Sequence, residues 1–127
     1  MSDPASTKIL VVDDSSTMRR ILKMSLARCG YPNVEEAGDG AEGLAACRAK
    51  QYDLVLTDWN MPNMDGLQLI LSLREIPSYA SVPIVMVTTE GAKDDVIEAL
   101  TKGATSYIVK PFTPETLNEK LKEVFSN

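Results

Sequence analysis

Asp13 and Asp14, Asp58, Thr88 with Thr89, and Lys110 are spread across a 127-residue chain, yet each group closes or follows a short apolar run. The runs are Ile9 to Val12, Leu54 to Leu56, Ile84 to Val87 and Tyr107 to Val109. Carboxylates gathered within a few ångströms repel one another, and one must take up a proton unless a cation intervenes. A hard divalent ion such as Mg²⁺ suits one or two carboxylates with waters and a carbonyl. It can then hold a phosphate against the remaining carboxylate. Lys110 would offer a fixed positive charge to a phosphoryl oxygen, and Thr88 or Thr89 a hydroxyl donor. An aspartate can itself attack phosphorus and carry an acyl phosphate. Together these residue types read as a metal-assisted aspartyl-phosphate site, with Asp58 as the acceptor.

Each residue alone has an ordinary explanation. Asp13 or Asp14 could cap the helix that starts near Ser15 and Ser16. A lysine after an edge strand discourages edge pairing, and an acid at a strand end is often merely solvated. The joint pattern is what points to chemistry.

The rest of the composition narrows that chemistry. The chain has no histidine, which excludes histidine-based nucleophilic catalysis, histidine zinc sites and an internal phosphohistidine. A net charge of -5 and a pI near 4.7 argue against a phosphate-backbone binder, so no nucleic-acid partner is expected. No apolar stretch approaches the roughly 20 residues that cross a bilayer. The polar start of the chain lacks the apolar core of a signal peptide. Cys29 and Cys47 share no metal-ligand spacing and read as reduced thiols of a cytoplasmic protein.

The elements that must position these groups follow from periodicity. Short apolar runs alternate with stretches of helical period: Met18, Ile21, Leu22, Leu26 and Cys29 predict a first helix that stops at Gly30. Val34 to Ala37 is half polar, as an edge strand would be. Ala41, Leu44 and Ala45 mark a second helix, and Leu67, Ile70, Leu71 and Arg74 a third. Val96, Ile97 and Leu100 mark a fourth, ended by Gly103. Leu117, Leu121, Val124 and Phe125 mark a fifth, opening at Thr113 and Pro114. Five strand-helix units without a linker predict one α/β domain, a doubly wound parallel sheet with helices on both faces. In such sheets, sites form at the carboxyl ends of the strands.

Four segments, "VVDDSSTMRR", "TDWNMPNMDG", "VTTEGAK" and "YIVKPFTPETL", resemble in order and spacing the receiver domain of two-component response regulators. The likeness runs from Lys8 to Phe125 and is greatest to single-domain chemotaxis members of the family. It implies a flavodoxin-like (βα)5 fold with strand order 2-1-3-4-5 and one receiver domain over residues 1–127, with residues 1–7 a flexible terminus. It implies Asp58 as the phosphoacceptor, and Asp13, Asp14, Asp58 and the backbone carbonyl of Asn60 as the Mg²⁺ ligands. Thr88 and Lys110 would contact the phosphoryl group, Tyr107 would be the aromatic switch, and Lys110-Pro111 would be cis. Asn60 and Glu90 would tune hydrolysis.

The implied donor is a phosphohistidine on a partner kinase. The protein is not expected to be an enzyme turning over a free substrate, although it would contribute to its own phosphoryl transfer and dephosphorylation. Output is expected through protein-protein contact by a monomer, with the flagellar motor switch as target and a phosphatase as a further candidate partner. The contact face would be the helix from Asp94 to Lys102, the fifth strand and the last helix. Thr89 departs from the small residue common at its position, and a branched side chain there could restrict access to Asp58. Trp59 is expected as a partly exposed ring beside the acceptor.

Rival readings are a phosphate sink or phosphorelay intermediate of the same fold, an aspartate-nucleophile phosphatase, and a flavodoxin-like cofactor binder. The phosphatase would carry its acids as DxD after the first strand, whereas here they are adjacent. "DDSSTM" would repel a flavin phosphate.

Overall fold

In the computed structural model, which describes residues 3–126, strands and helices alternate along the chain. Strands β1 (Ile9–Val12), β2 (Val34–Ala37), β3 (Leu54–Thr57), β4 (Ile84–Thr88) and β5 (Ser106–Val109) form one sheet. All its pairs are parallel and the order is β2-β1-β3-β4-β5. The crossovers carry α1 (Ser16–Arg28), α2 (Gly40–Ala49), α3 (Gly66–Arg74) and α4 (Lys93–Thr101), and α5 (Pro114–Phe125) closes the domain. This is the doubly wound, flavodoxin-like architecture expected.

The two faces of the sheet divide the core by the two-residue period of a strand. Leu10, Val12, Val55 and Met86 pack toward α2 and α3, through Leu44, Leu69, Ile70 and Leu73. Ile9, Val11, Leu54 and Leu56 face the other way, against Leu22 and Leu26 of α1 and Leu117 and Leu121 of α5. β1, β3 and β4 are buried along their whole length, and β2 shows the half-polar pattern of an edge.

Local signals explain where the helices begin and stop. Ser15 caps α1 by accepting the Met18 N–H, so neither Asp13 nor Asp14 serves as the cap. Asp65 and Gln68 form a reciprocal capping box at α3, and Thr113 caps α5 with Pro114 in its first turn. Gly30 and Gly103 take φ of 94° and 124°, the left-handed region that favours glycine after a helix.

Three helix faces differ from those expected. Ile21 of α1 is 42% exposed while Ser25 is buried. In α3 Leu71 points outward, and Leu69 and Leu73 are buried instead. In α4 Ile97 and Leu100 are exposed and Ala99 is the buried residue. Small Ser25 and Ala99 take buried positions while larger apolar residues face outward, so residue type alone misplaces the buried stripe.

The start of the chain also has local structure. Ser6 and Thr7 N–H groups bond the Asp3 carbonyl, and Thr7 is buried. Met1 and Ser2, the remainder of the segment expected to be flexible, lie outside the described residues. Cys29 is half-buried and Cys47 buried, both as free thiols, and burial pushes both thiol pKa values up.

Candidate functional site

Register delivers the acids to one place. Val12 pairs with Thr57 across β1 and β3, so Asp13 and Asp58 follow side by side at the carboxyl edge. The Asp58 N–H donates to the Val12 carbonyl at 2.9 Å, and the Lys110 N–H donates to the Thr88 carbonyl at 2.8 Å. Lys110 thereby enters from β5 with its side chain between the carboxylates. Its Nζ lies 2.8 Å from Asp13 Oδ2 and 3.2 Å from Asp58 Oδ2.

The other carboxylate oxygens are held by backbone. Asp13 Oδ1 accepts the Ser15 N–H at 2.9 Å, and Asp58 Oδ1 accepts the Trp59 N–H at 2.7 Å. Asp13 is almost wholly buried, with a side chain 2% exposed, against 14% for Asp58. Asp14 is exposed. Carboxylate oxygens from Asp13, Asp14 and Asp58 lie within 4.8 Å of one another. Two of these three clustered carboxylates, Asp13 and Asp58, share one ammonium, and the deficit is positive charge. Burial pulls the Lys110 pKa down, but hydrogen bonding to Asp13, the Asp58 and Asp13 charges and the Asp58 hydrogen bond outweigh it, so the net direction is up.

This donor set is all oxygen and carries excess negative charge, which fits a hard divalent cation. When bound, such an ion would neutralise charge on a transferring phosphoryl group. Asn60 stands two residues after Asp58 in the β3–α3 loop, and its Nδ2 donates to Glu90 Oε1 at 3.1 Å. The two residues expected to tune hydrolysis thus bridge the β3–α3 and β4–α4 loops. Thr88 is fully buried at the end of β4, and its Oγ1 accepts the Glu90 N–H at 3.4 Å. Tyr107 is also buried, and its hydroxyl donates to the Glu90 carbonyl. Burial, followed by the charges of Asp95, Glu90 and Asp58, pushes the Tyr107 pKa up to about 12. Lys110-Pro111 is cis. Trp59 is half-buried and packs on the α2–α3 side of the core.

The sequence reading missed Arg19. Its Nη1 donates to the Asp13 carbonyl at 2.6 Å and its Nε to Glu36 Oε1 at 2.9 Å, bracing the β1–α1 junction from behind. Its position in the first helix carries no motif that announces the contact.

Fold and site together define a class, and comparison with known proteins agrees with it. Residues 9–122 match the model of the response regulator receiver domain, and the chain belongs to that family. Within it, the chemotaxis protein CheY homolog of Campylobacter jejuni is 52% identical over 118 residues, spanning 92% of this chain and 91% of that one. Vibrio cholerae chemotaxis protein CheY4 superposes with a TM-score of 0.88 at 40% identity, covering 95% of this chain and 100% of that one. The receiver domain of the Pseudomonas aeruginosa sensor histidine kinase PA1611, solved with a magnesium ion coordinated in its active-site cleft, gives a TM-score of 0.88. It is 26% identical and covers 97% of this chain and 100% of that one. The chain is therefore a CheY-like response regulator. Among the described residues no helix is long and apolar enough to cross a membrane.

Proposed function

We propose that residues 1–127 act as one receiver domain that takes a phosphoryl group on Asp58 from a phosphohistidine of a partner kinase. Mg²⁺ would be held by Asp13, Asp14, Asp58 and the Asn60 carbonyl. In the transfer a carboxylate oxygen of Asp58 forms a bond to phosphorus as the phosphorus–nitrogen bond of the donor breaks. The imidazole leaves with the electron pair of that bond. Lys110 already contacts Asp58 and can follow the new negative charge onto a phosphoryl oxygen. The observation that carries this reading is the convergence of Asp13, Asp14, Asp58 and Lys110 at one sheet edge.

The buried Thr88 hydroxyl and Tyr107, both tied to Glu90, form the element that phosphorylation biases. A shift of Thr88 toward the phosphoryl group would release the Glu90 segment and alter the start of α4. The readout surface is α4, β5 and α5, where Ile97 is 49%, Leu100 43% and Val109 44% exposed. Kinship with chemotaxis proteins favours the flagellar motor switch as the target, in a cytoplasmic phosphorelay. Asn60 and Glu90 side chains beside the acyl phosphate suit a lifetime of seconds to minutes, and a phosphoprotein stable for hours without kinase would contradict that.

Transfer from a phosphorylated histidine kinase tests the chemistry. Label should move to this chain in Mg²⁺ and stay on the kinase in EDTA; transfer unaffected by EDTA would overturn the metal role. Capture of motor-switch protein only by the phosphorylated form would support chemotaxis output. Equal or absent capture would favour a phosphate sink or relay intermediate.

A further inference from the structure

The β3–α3 loop carries Asn60, and something must hold that loop at a fixed height over the acids. Its base is closed by the Gly66 N–H donating to the Trp59 carbonyl at 2.7 Å. Its middle is tied sideways to the start of α2. Asn63 Nδ2 donates to Asp39 Oδ2 at 2.7 Å, while Asp39 Oδ1 caps α2 by accepting the Glu42 N–H at 2.8 Å. Next along, the Gly40 N–H donates to the Met64 carbonyl at 3.0 Å. A Cβ at position 40 would stand 2.4 Å from that carbonyl oxygen, so the approach needs glycine.

Asn63 itself takes a φ of 68°, a left-handed conformation that asparagine tolerates better than most residues. Asp39 is 7% exposed, and both its oxygens are occupied. Backbone hydrogen bonding from Glu42, then the Asn63 amide, holds its carboxyl below the usual range. A buried carboxylate with one oxygen spent on a helix cap and the other on a loop amide joins two elements at a single residue.

We propose that Asp39 and Asn63 are positioning residues for the divalent ion: their hydrogen bond latches the β3–α3 loop to α2 and so sets where the Asn60 carbonyl sits. Neither residue touches the acids, and the latch rests on the metal-site reading above. The physical logic is that of outer partners that orient metal ligands. Without the latch, the loop between Trp59 and Gly66 keeps its closed base and the Gly40–Met64 backbone bond but loses its side-chain anchor to α2.

The test uses the full-length chain and Mg²⁺ titration, read by Trp59 fluorescence and by calorimetry, with melting in EDTA as the folding control. Asn63→Asp sets two carboxylates face to face and should weaken Mg²⁺ binding by about tenfold, the scale typical of outer-partner changes. Asn63→Gly keeps the left-handed backbone but deletes the amide, and should weaken binding in the same direction. In the exchange variant Asp39→Asn/Asn63→Asp, the amide introduced at position 39 donates to the carboxylate introduced at position 63, while the amide oxygen still caps α2. That variant should return Mg²⁺ affinity to within about twofold of the parent, because the donor-acceptor pair is rebuilt with roles reversed. Binding of Mg²⁺ by Asn63→Asp and Asn63→Gly as tight as in the parent would overturn the latch. So would failure of the folded exchange variant to recover affinity. No Mg²⁺ binding by the parent chain would instead overturn the metal site itself, and the latch with it.

Discussion

The two edges of the sheet treat charge in opposite ways. At the carboxyl edge, Asp13, Asp14 and Asp58 cluster together, and the ammonium of Lys110 pairs with Asp13 and Asp58. At the amino edge, the Arg74 guanidinium is surrounded by neutral acceptors. It donates to the carbonyls of Gly103, Tyr79, Ala80 and Val82 and to the Thr105 hydroxyl. It has no carboxylate partner among the described residues. The Arg74 charge at the amino edge is spread over fixed neutral acceptors. The carboxyl edge is unfinished, with charge left over for something that arrives. Such a split is what a functional site working against local stability would produce.

Breaking the amino edge should have the largest effect on folding. Arg74→Ala orphans several carbonyls at once and should lower stability by about 3 kcal/mol, since one orphaned buried acceptor costs roughly 1–3 kcal/mol. Urea denaturation would measure this. Phosphoryl acceptance per folded molecule should not change, and a parallel loss of acceptance would break the division between the edges.

Alkaline pH probes both edges. Tyr79, whose hydroxyl donates to the Lys50 carbonyl and accepts the Tyr52 N–H, is pushed up to about 12, chiefly by burial. Tyr107 is raised similarly, and Lys110 is raised as well. A raised pKa means the folded state holds its proton more tightly than the unfolded chain. For the tyrosines that stability is complete below the unfolded values near 10 and is lost as pH rises through about 12. Urea midpoints should therefore fall over that window, and Tyr79→Phe should reduce the fall.

Relieving the unfinished edge should have a smaller effect, of opposite sign. Asp14→Asn removes an exposed, uncompensated charge and should stabilise the metal-free protein by about 0.5–1 kcal/mol. The same change should weaken Mg²⁺ binding by about tenfold or more, since affinity follows ligand charge. Melting in EDTA and in Mg²⁺ would show both, and an Asp14→Asn protein less stable than the parent in EDTA would contradict the excess-charge description. Smallest of all, Asn60→Ala or Glu90→Ala should leave stability within about 0.5 kcal/mol, as for most surface changes. Either should still alter the dephosphorylation rate several-fold.

The two edges also differ in how legible they are in the sequence. The carboxyl-edge residues are acids, a lysine and a threonine set directly after apolar runs, so type and position both announce them. Parallel register then does the rest, bringing Asp13 beside Asp58. Arg74 is read from sequence only as the end of a helical pattern. Its acceptors are backbone carbonyls from η1 (Pro77–Tyr79) and from loops far along the chain, and carbonyls have no sequence signature. Asp39 and Glu42 do carry a helix-start spacing, but nothing in that spacing names Asn63 as the second partner. The misplaced faces at Ile21, Leu71 and Ile97 have a related cause, because an apolar residue does not say which neighbour will cover it.

The most direct test is to expose the chain to Mg²⁺ and a small acyl-phosphate donor and to map the modified residue by mass. One phosphoryl group on Asp58, lost in Asp58→Asn and in EDTA, is the expected result. A phosphoryl group on any other residue, or none after full exposure to donor, would contradict the reading of the carboxyl edge as a phosphoacceptor site.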